Sequence, residues 1–188
     1  MQNNLTREEY QALQNKRAGM FIFQASWIMA FLCMVIVNWQ LRFSPNWLPE
    51  GSRELGPELA SFATVALGLS LFLGRRALKA VQQDDRQSFM TQWLGMLGLG
   101  ALFVLVIGYE WLVIPTGTQY AQVFRLMTGF HMVHAVVIGA YMFNVYLNAR
   151  ADAGRYSSAD FWAVEAGVKL WYFVLVAWLL FYVVIYWI

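Results

Sequence analysis

Residues 162–187 read WAVEAGVKLWYFVLVAWLLFYVVIYW, and no charged side chain follows Lys169. The hydrocarbon core of a bilayer is about 30 Å thick, and an α-helix rises about 1.5 Å per residue. About 20 mostly apolar residues therefore make a helix long enough to cross it. The stretch predicts a transmembrane helix, and its aromatic ends are typical of membrane interfaces. Trp178, near mid-span, is instead predicted to pack against another helix or against lipid chains.

Four more segments meet the same criterion, and together the five predict an all-α, polytopic membrane protein with five transmembrane helices. The predicted spans are residues 18–41, 57–76, 88–111, 124–148 and 162–187. We predict two parts, an N-terminal arm over residues 1–16 and a five-helix transmembrane domain over residues 17–188. The first span is too long for a signal peptide and no small-residue cleavage site follows it, so we expect it to be retained.

The composition argues against several classes of protein. Of the 188 residues, 60% are hydrophobic and 13% are charged, whereas a soluble domain is about half apolar and about a quarter charged. A soluble enzyme is therefore disfavoured, and a net charge of +2 is too small for an electrostatic nucleic-acid surface. The single cysteine, Cys33, cannot form an internal disulfide. One cysteine and two histidines are also too few to supply the four ligands of a Cys/His zinc site. We expect no metal, no cofactor and no nucleic-acid partner for this chain.

The distribution of Lys and Arg predicts the orientation in the membrane. Nine basic residues fall on the side of the N-terminus and two on the other side. Cytoplasmic loops carry the excess of Lys and Arg, so the N-terminus is predicted to be cytoplasmic and the C-terminus, after five spans, outside. The nine are Arg7, Lys16, Arg17, Arg75, Arg76, Lys79, Arg86, Arg150 and Arg155, and the two are Arg42 and Arg53.

The N-terminal arm carries a helix-start signal. Thr6 is a favourable N-cap residue, and Glu8 and Glu9 place acids in the first turn. Two interpretations stay open, namely a solvated arm that lies on the membrane or a short helix that docks on a partner subunit.

Ionisable side chains inside the spans are the main functional signal, because such groups are costly in a bilayer and usually face a bundle interior or a cavity. Glu110 lies near the end of the third span, beside Trp111. It is either an interfacial acid near the outer headgroups or a buried carboxylate that pairs with a base. Arg125, at the start of the fourth span, is the predicted partner, and the pair would hold spans three and four together.

Two histidines, His131 and His134, share one face of the fourth span because they lie three residues apart. The favoured hypothesis is hydrogen bonding across helices, with a proton relay or metal or haem ligation as alternatives. Two histidines on one helix face cannot hold one haem from both sides, and the chain has no third histidine. Gly129 and Gly139 nearby favour close helix packing.

Glu165 and Lys169 lie four residues apart at the start of the fifth span, in the order that favours an ion pair on a helix. The first interpretation is a self-neutralising pair at the inner interface, with the Lys169 side chain snorkelling toward the headgroups. The alternative is that Glu165 reaches His131 or His134 on the neighbouring helix.

Several short motifs follow one another along the chain in the order of one known family. The segment Thr128-Gly129-Phe130-His131-x-x-His134 is similar to a Thr-Gly-Phe-His-Gly-Leu-His segment of subunit III of haem-copper oxidases. The resemblance covers nearly all of residues 17–188. The other matching motifs are Arg17-x-Gly19-Met20, Asp85-Arg86, Glu110-Trp111-x-x-x-Pro115, Glu165-Ala166-Gly167, Trp171-x-Phe173-Val174 and Tyr182-Val183-x-Ile185-Tyr186-Trp187.

The chain departs from the family pattern at positions where the family has titratable groups. The family usually has a membrane-buried carboxylate directly after the serine that matches Ser26, and this chain has Trp27 there. Tyr172 and Leu175 stand where the family has His and Asp, and Val113 stands where it has a second Glu. The resemblance therefore implies a mainly structural subunit, with no proton role carried over at Trp27.

The resemblance implies a non-catalytic subunit III of a respiratory haem-copper terminal oxidase in a bacterial plasma membrane. Such a subunit would stabilise subunit I, bind phospholipid and support proton uptake, with haem and copper held by subunits I and II. Five spans resemble the shorter bacterial form, in which another subunit or lipid alone would complete the family's phospholipid cleft. The alternatives are a nitric oxide reductase accessory subunit of the same fold and, from a different class, an independent haem- or quinone-binding membrane protein.

Overall fold

The computed structural model describes residues 6–50, 54–151 and 158–188, and these form five α-helices and no strand. Each helix is long and apolar enough to cross a membrane, so the predicted all-α, five-span architecture is confirmed. Three of the helices extend well past the predicted spans. The helices are α1 (Arg7–Arg42), α2 (Glu58–Gln82), α3 (Arg86–Val113), α4 (Gln119–Ala151) and α5 (Ser158–Tyr186).

The start of α1 follows from the predicted N-cap. The Thr6 hydroxyl accepts a bond of 3.3 Å from the Glu9 backbone N–H, and the Glu9 carboxylate accepts one of 2.9 Å from the Thr6 N–H. This reciprocal capping box satisfies two donors that a helix start leaves free. The helix then continues into the span without a break, so the predicted short helix is the first part of α1, and residues 1–5 lie outside the described residues.

A connection of three residues, 83–85, joins α2 and α3 and folds them into an antiparallel pair. Asp84 has a φ of 56°, a left-handed conformation that Asp tolerates better than most residues. Asp85 caps α3 by accepting a bond of 3.0 Å from the Ser88 N–H. Hydrogen bonds from the Ser88 side chain and backbone hold the pKa of the Asp85 carboxyl below its usual value.

Helices α2 to α5 pack as a ring, and α1 lies outside it. The contacts run from α3 to α2, from α2 to α5, from α5 to α4 and from α4 back to α3. Among the described residues, α1 contacts α5 and α4 and neither of the other two helices. Only Phe31 and Asn38 of α1 are buried, so most of its surface faces away from the bundle.

Indole N–H groups tie the ring together at mid-bundle. Trp171 of α5 donates a bond of 2.8 Å to the Ser70 hydroxyl of α2, which donates one of 2.8 Å to the Met96 carbonyl of α3. Trp178 is fully buried and donates to the Thr64 hydroxyl at 2.8 Å, which confirms its predicted packing against another helix. Buried tryptophans need such partners, because an unsatisfied N–H is costly inside a protein.

Arginine side chains close the carboxyl ends of three helices. Arg42 donates to the Val184 carbonyl of α5 at 3.0 Å, and Arg86 donates to the Ala149 carbonyl of α4 at 2.9 Å. Arg125 does the same for α3. The last carbonyls of a helix lack intrahelical partners and carry partial negative charge, so a guanidinium there satisfies both needs.

Candidate functional site

The first candidate site surrounds Glu165 at the start of α5, on the side of the bundle that holds the start of α1; we call this the amino-terminal side. Arg17 of α1 binds both carboxylate oxygens of Glu165, with Nε–Oε1 and Nη2–Oε2 distances of 2.9 Å. The Lys169 Nζ lies 2.9 Å from Oε1, so the predicted i, i+4 pair is confirmed. Arg17 rather than a histidine is the partner across helices, and the alternative of Glu165 reaching His131 or His134 is wrong.

This cluster joins α1 to α5 and carries one excess positive charge. Glu165 is buried, whereas the side chains of Arg17 and Lys169 are 22% and 38% exposed. Gln24 adds a second link between the helices by donating to the Lys169 carbonyl at 2.9 Å. Two cations on one carboxylate favour its ionised form. The bond from Arg17 also holds α1 in register with α5.

The second candidate site surrounds Glu110 near the end of α3, on the opposite side of the bundle; we call this the carboxy-terminal side. Glu110 is buried within the bundle, with 2% of its surface exposed, which favours the interpretation as a buried carboxyl. Its Oε2 accepts a bond of 2.6 Å from the Tyr186 hydroxyl of α5. No local spacing indicates Tyr186 as its partner, because the two residues are 76 positions apart.

Arg125 does not form the predicted pair with Glu110. Its Nε donates to the Trp111 carbonyl at 3.3 Å and its Nη2 donates to the Ile114 carbonyl at 2.9 Å. The guanidinium is thus used to satisfy the free carbonyls at the end of α3. Arg125 still links spans three and four, through the backbone rather than through the acid.

The two histidines lie in aromatic surroundings. His131 is fully buried among Phe31, Phe103, Trp178 and Phe181, with ring centroids 5.5–6.2 Å away. Neither of its ring nitrogens has a hydrogen-bond partner among the described residues, so the hypothesis of a bond across helices is wrong for this residue.

His134 bonds within its own helix. Its Nδ1 donates to the Phe130 carbonyl at 2.8 Å. Within the described parts of the chain, no three His, Cys, Asp or Glu side chains come together as metal ligands.

Trp27 occupies the position where the resemblance implies a carboxylate. Its ring lies edge-on to His134, with centroids 4.6 Å apart, and the two line a groove of about 460 Å³. Phe23 of α1, Tyr141 of α4 and Phe173 of α5 line the same groove, which lies between the three helices. The groove is apolar, and the charged cluster around Glu165 lies near it on α1 and α5.

These features define a five-helix integral membrane protein in which the buried carboxyls Glu110 and Glu165 link helices to one another. The family model for cytochrome c oxidase subunit III matches residues 5–188. The chain belongs to the cytochrome c oxidase subunit III family.

Curated relatives support the assignment. A cytochrome c oxidase subunit 3 of Synechocystis sp. is 29% identical over 146 residues, which are 76% of this chain and 62% of that protein. A probable cytochrome c oxidase subunit 3 of Nocardia farcinica is 30% identical over 176 residues, or 89% of this chain and 85% of that protein. The subunit 3 of Lumbricus terrestris is 29% identical over 185 residues, covering 91% and 69% respectively. The chain thus spans less than two thirds of the first of these relatives and more of the others.

Proposed function

We propose that the chain is a non-catalytic subunit III of a respiratory haem-copper terminal oxidase, in which it covers and stabilises subunit I. The observation that carries this proposal is the family match, which extends from the first described helix to the last. The polar contacts of Arg17, Arg125 and Tyr186 support a structural role, since each joins one helix to another or closes a helix end. Haem and copper would be held by subunits I and II, and the chemistry of oxygen reduction would take place there.

The outer face of α1 is the proposed docking surface for a membrane partner subunit. It exposes large apolar side chains along its length, including Phe21, Ile22, Met29 and Ile36. α1 also contacts the bundle on one side only, which leaves this face free for another helix. Membrane helices associate through close van der Waals packing, and the open surface at Gly19 permits a close approach.

We further propose that the groove between α1, α4 and α5 holds a phospholipid acyl chain. Its lining by Phe23, Trp27 and Phe173 is apolar, and its volume of about 460 Å³ suits a hydrocarbon chain. The excess positive charge of the Arg17–Glu165–Lys169 cluster would attract a phosphate headgroup on the amino-terminal side. We further propose that the N-terminus lies in the cytoplasm of a bacterial cell, as the distribution of Lys and Arg predicts, and that the chain supports proton uptake from that side.

The test is affinity purification of the tagged chain from its native membranes in mild detergent. We expect subunits I and II to co-purify, with a reduced-minus-oxidised haem spectrum and oxygen consumption, and the separated chain to show no haem absorbance. Purification alone with haem of its own would assign an independent haem protein. Turnover of nitric oxide in place of oxygen would assign the accessory subunit of a nitric oxide reductase.

A matched pair of glycine variants tests the docking surface. A Cβ at Gly19 of α1 or at Gly68 of α2 meets nothing within 4 Å, so a side chain can begin at either position without a clash at its first atom. We expect Gly19→Leu to lower co-purification of subunit I several-fold and Gly68→Leu to leave it unchanged. Equal recovery with both variants would contradict a partner on α1.

A further inference from the structure

Glu110 is a buried carboxyl whose surroundings supply a hydrogen-bond donor but no cation. It is 2% exposed, and the Tyr186 hydroxyl donates to its Oε2 at 2.6 Å. Among the described residues, no Lys, Arg or His forms an ion pair with it. A carboxylate in such a place loses most of its hydration, and a single hydrogen bond restores only part of it.

None of the described titratable groups that face Glu110 brings a positive charge to it. From α2 it faces Glu58, a second acid, and from α4 and α5 it faces the phenols of Tyr120 and Tyr186.

The described cations on this side are directed elsewhere. Arg125 donates to the carbonyls at the end of α3, and Arg42 pairs with Glu54 at 3.2 Å. Arg53 lies outside the described residues. The protonation state of Glu110 is therefore tested by a direct measurement on its carboxyl group.

We propose that Glu110 is a proton-binding site, which holds a proton at neutral pH as a neutral carboxylic acid. Tyr186 then donates to the carbonyl oxygen of the acid, and the proton resides on the other oxygen. Glu165 provides the internal control, since it is also buried but is bound by Arg17 and Lys169 and remains a carboxylate. The proton would leave Glu110 when a partner or a substitution brings a cation to this pocket.

The experiment is infrared spectroscopy of the full chain in lipid nanodiscs at neutral pH. We expect the C=O stretching band of a neutral carboxylic acid, which shifts in D2O and disappears in Glu110→Gln. Glu165→Gln should leave this band unchanged. Tyr186→Phe should move it to higher frequency, because the carbonyl oxygen loses its hydrogen bond.

Two results would overturn the proposal. One is a wild-type spectrum without a carboxylic acid band, and the other is a band that Glu165→Gln removes and Glu110→Gln does not. If Glu110→Gln fails to fold, the wild-type band and its shift in Tyr186→Phe still decide the question. A band that stays at one frequency in wild type and in Tyr186→Phe counts against the site.

Discussion

A buried carboxyl lies at each end of α5, and the two carboxyls have opposite surroundings. At the start of the helix, Glu165 is bound by two cations, one of them from α1. At its end, Tyr186 donates to Glu110, which has a phenol and a second acid nearby in place of cations. Burial alone therefore does not decide what a membrane carboxyl does, because its partners decide whether its charge is stabilised.

The difference also separates two ways of joining helices. The Arg17–Glu165 contact is a charged, bidentate link that attaches the peripheral α1 to the ring of α2 to α5. The Tyr186–Glu110 contact is a single hydrogen bond inside that ring, where many apolar side chains already pack. We therefore expect larger effects from substitutions at the first site, where few other contacts hold α1.

The largest effect is expected when Glu165 loses both cations. Arg17→Gln combined with Lys169→Gln leaves a buried carboxylate without a counter-ion, which costs about 3–5 kcal/mol. Unfolding of the purified chain in detergent, followed by circular dichroism, measures the loss. Adding Glu165→Gln to the same protein should restore most of it, because no uncompensated charge is then buried.

The control removes two cations that form no ion pair with a carboxylate among the described residues. Lys16→Gln with Arg75→Gln makes the same change in net charge at two exposed positions, and we expect a change within about 0.5 kcal/mol. A loss as large as that of the first variant would mean that net charge, not the ion pair, sets the stability.

The sequence patterns predicted the contacts between residues close in the chain and missed those between residues far apart in it. The Glu165–Lys169 pair follows from helical periodicity, since residues four apart lie on one face. The partner Arg17 is 148 residues from Glu165, and nothing in the spacing indicates which helix end lies beside which. The five spans were predictable for the same local reason, as each is a continuous apolar run.

The wrong Glu110–Arg125 pair shows where proximity along the chain misleads. Arg125 does lie beside the end of α3, as the short loop implies, but the free carbonyls there compete for its guanidinium. Helix-capping rules that apply to any C-terminus could have indicated this use. The identity of Tyr186 as the partner of Glu110 depends on how α3 and α5 face each other across the ring of helices, which no local pattern shows.

His131, between the two sites, is expected to show the next largest effect. Its contacts are those of an apolar side chain, since aromatic rings surround it and neither ring nitrogen has a described hydrogen-bond partner. His131→Ala should cost about 2–4 kcal/mol through the cavity it leaves. His131→Phe should recover most of that stability, because no described hydrogen bond is lost. If His131→Phe is as unstable as His131→Ala, the imidazole makes a polar contact after all.

Neutral replacement of each acid compares the two sites directly. Glu165→Gln should cost about 1–2 kcal/mol, because Arg17 and Lys169 lose their anion but keep partial access to solvent. Glu110→Gln should change the free energy of unfolding by less than about 0.5 kcal/mol, because the amide replaces a neutral acid and still accepts from Tyr186. A clear gain of stability in Glu110→Gln would indicate that the native carboxyl is ionised.

Removal of the Tyr186 hydroxyl is also expected to have a small effect. Tyr186→Phe loses one interhelical hydrogen bond, which averages about 0.6 kcal/mol in membrane proteins, and keeps the ring packed beside Phe124. Tyr182→Phe is the matched control, since its hydroxyl bonds to Ser61 on α2 at 2.7 Å without contacting Glu110. Similar losses in the two variants fit a neutral Glu110, because each then removes one bond between uncharged groups. A loss of several kcal/mol in Tyr186→Phe alone would instead mean that the hydroxyl stabilises a buried charge, and the contrast between the two ends of α5 would disappear.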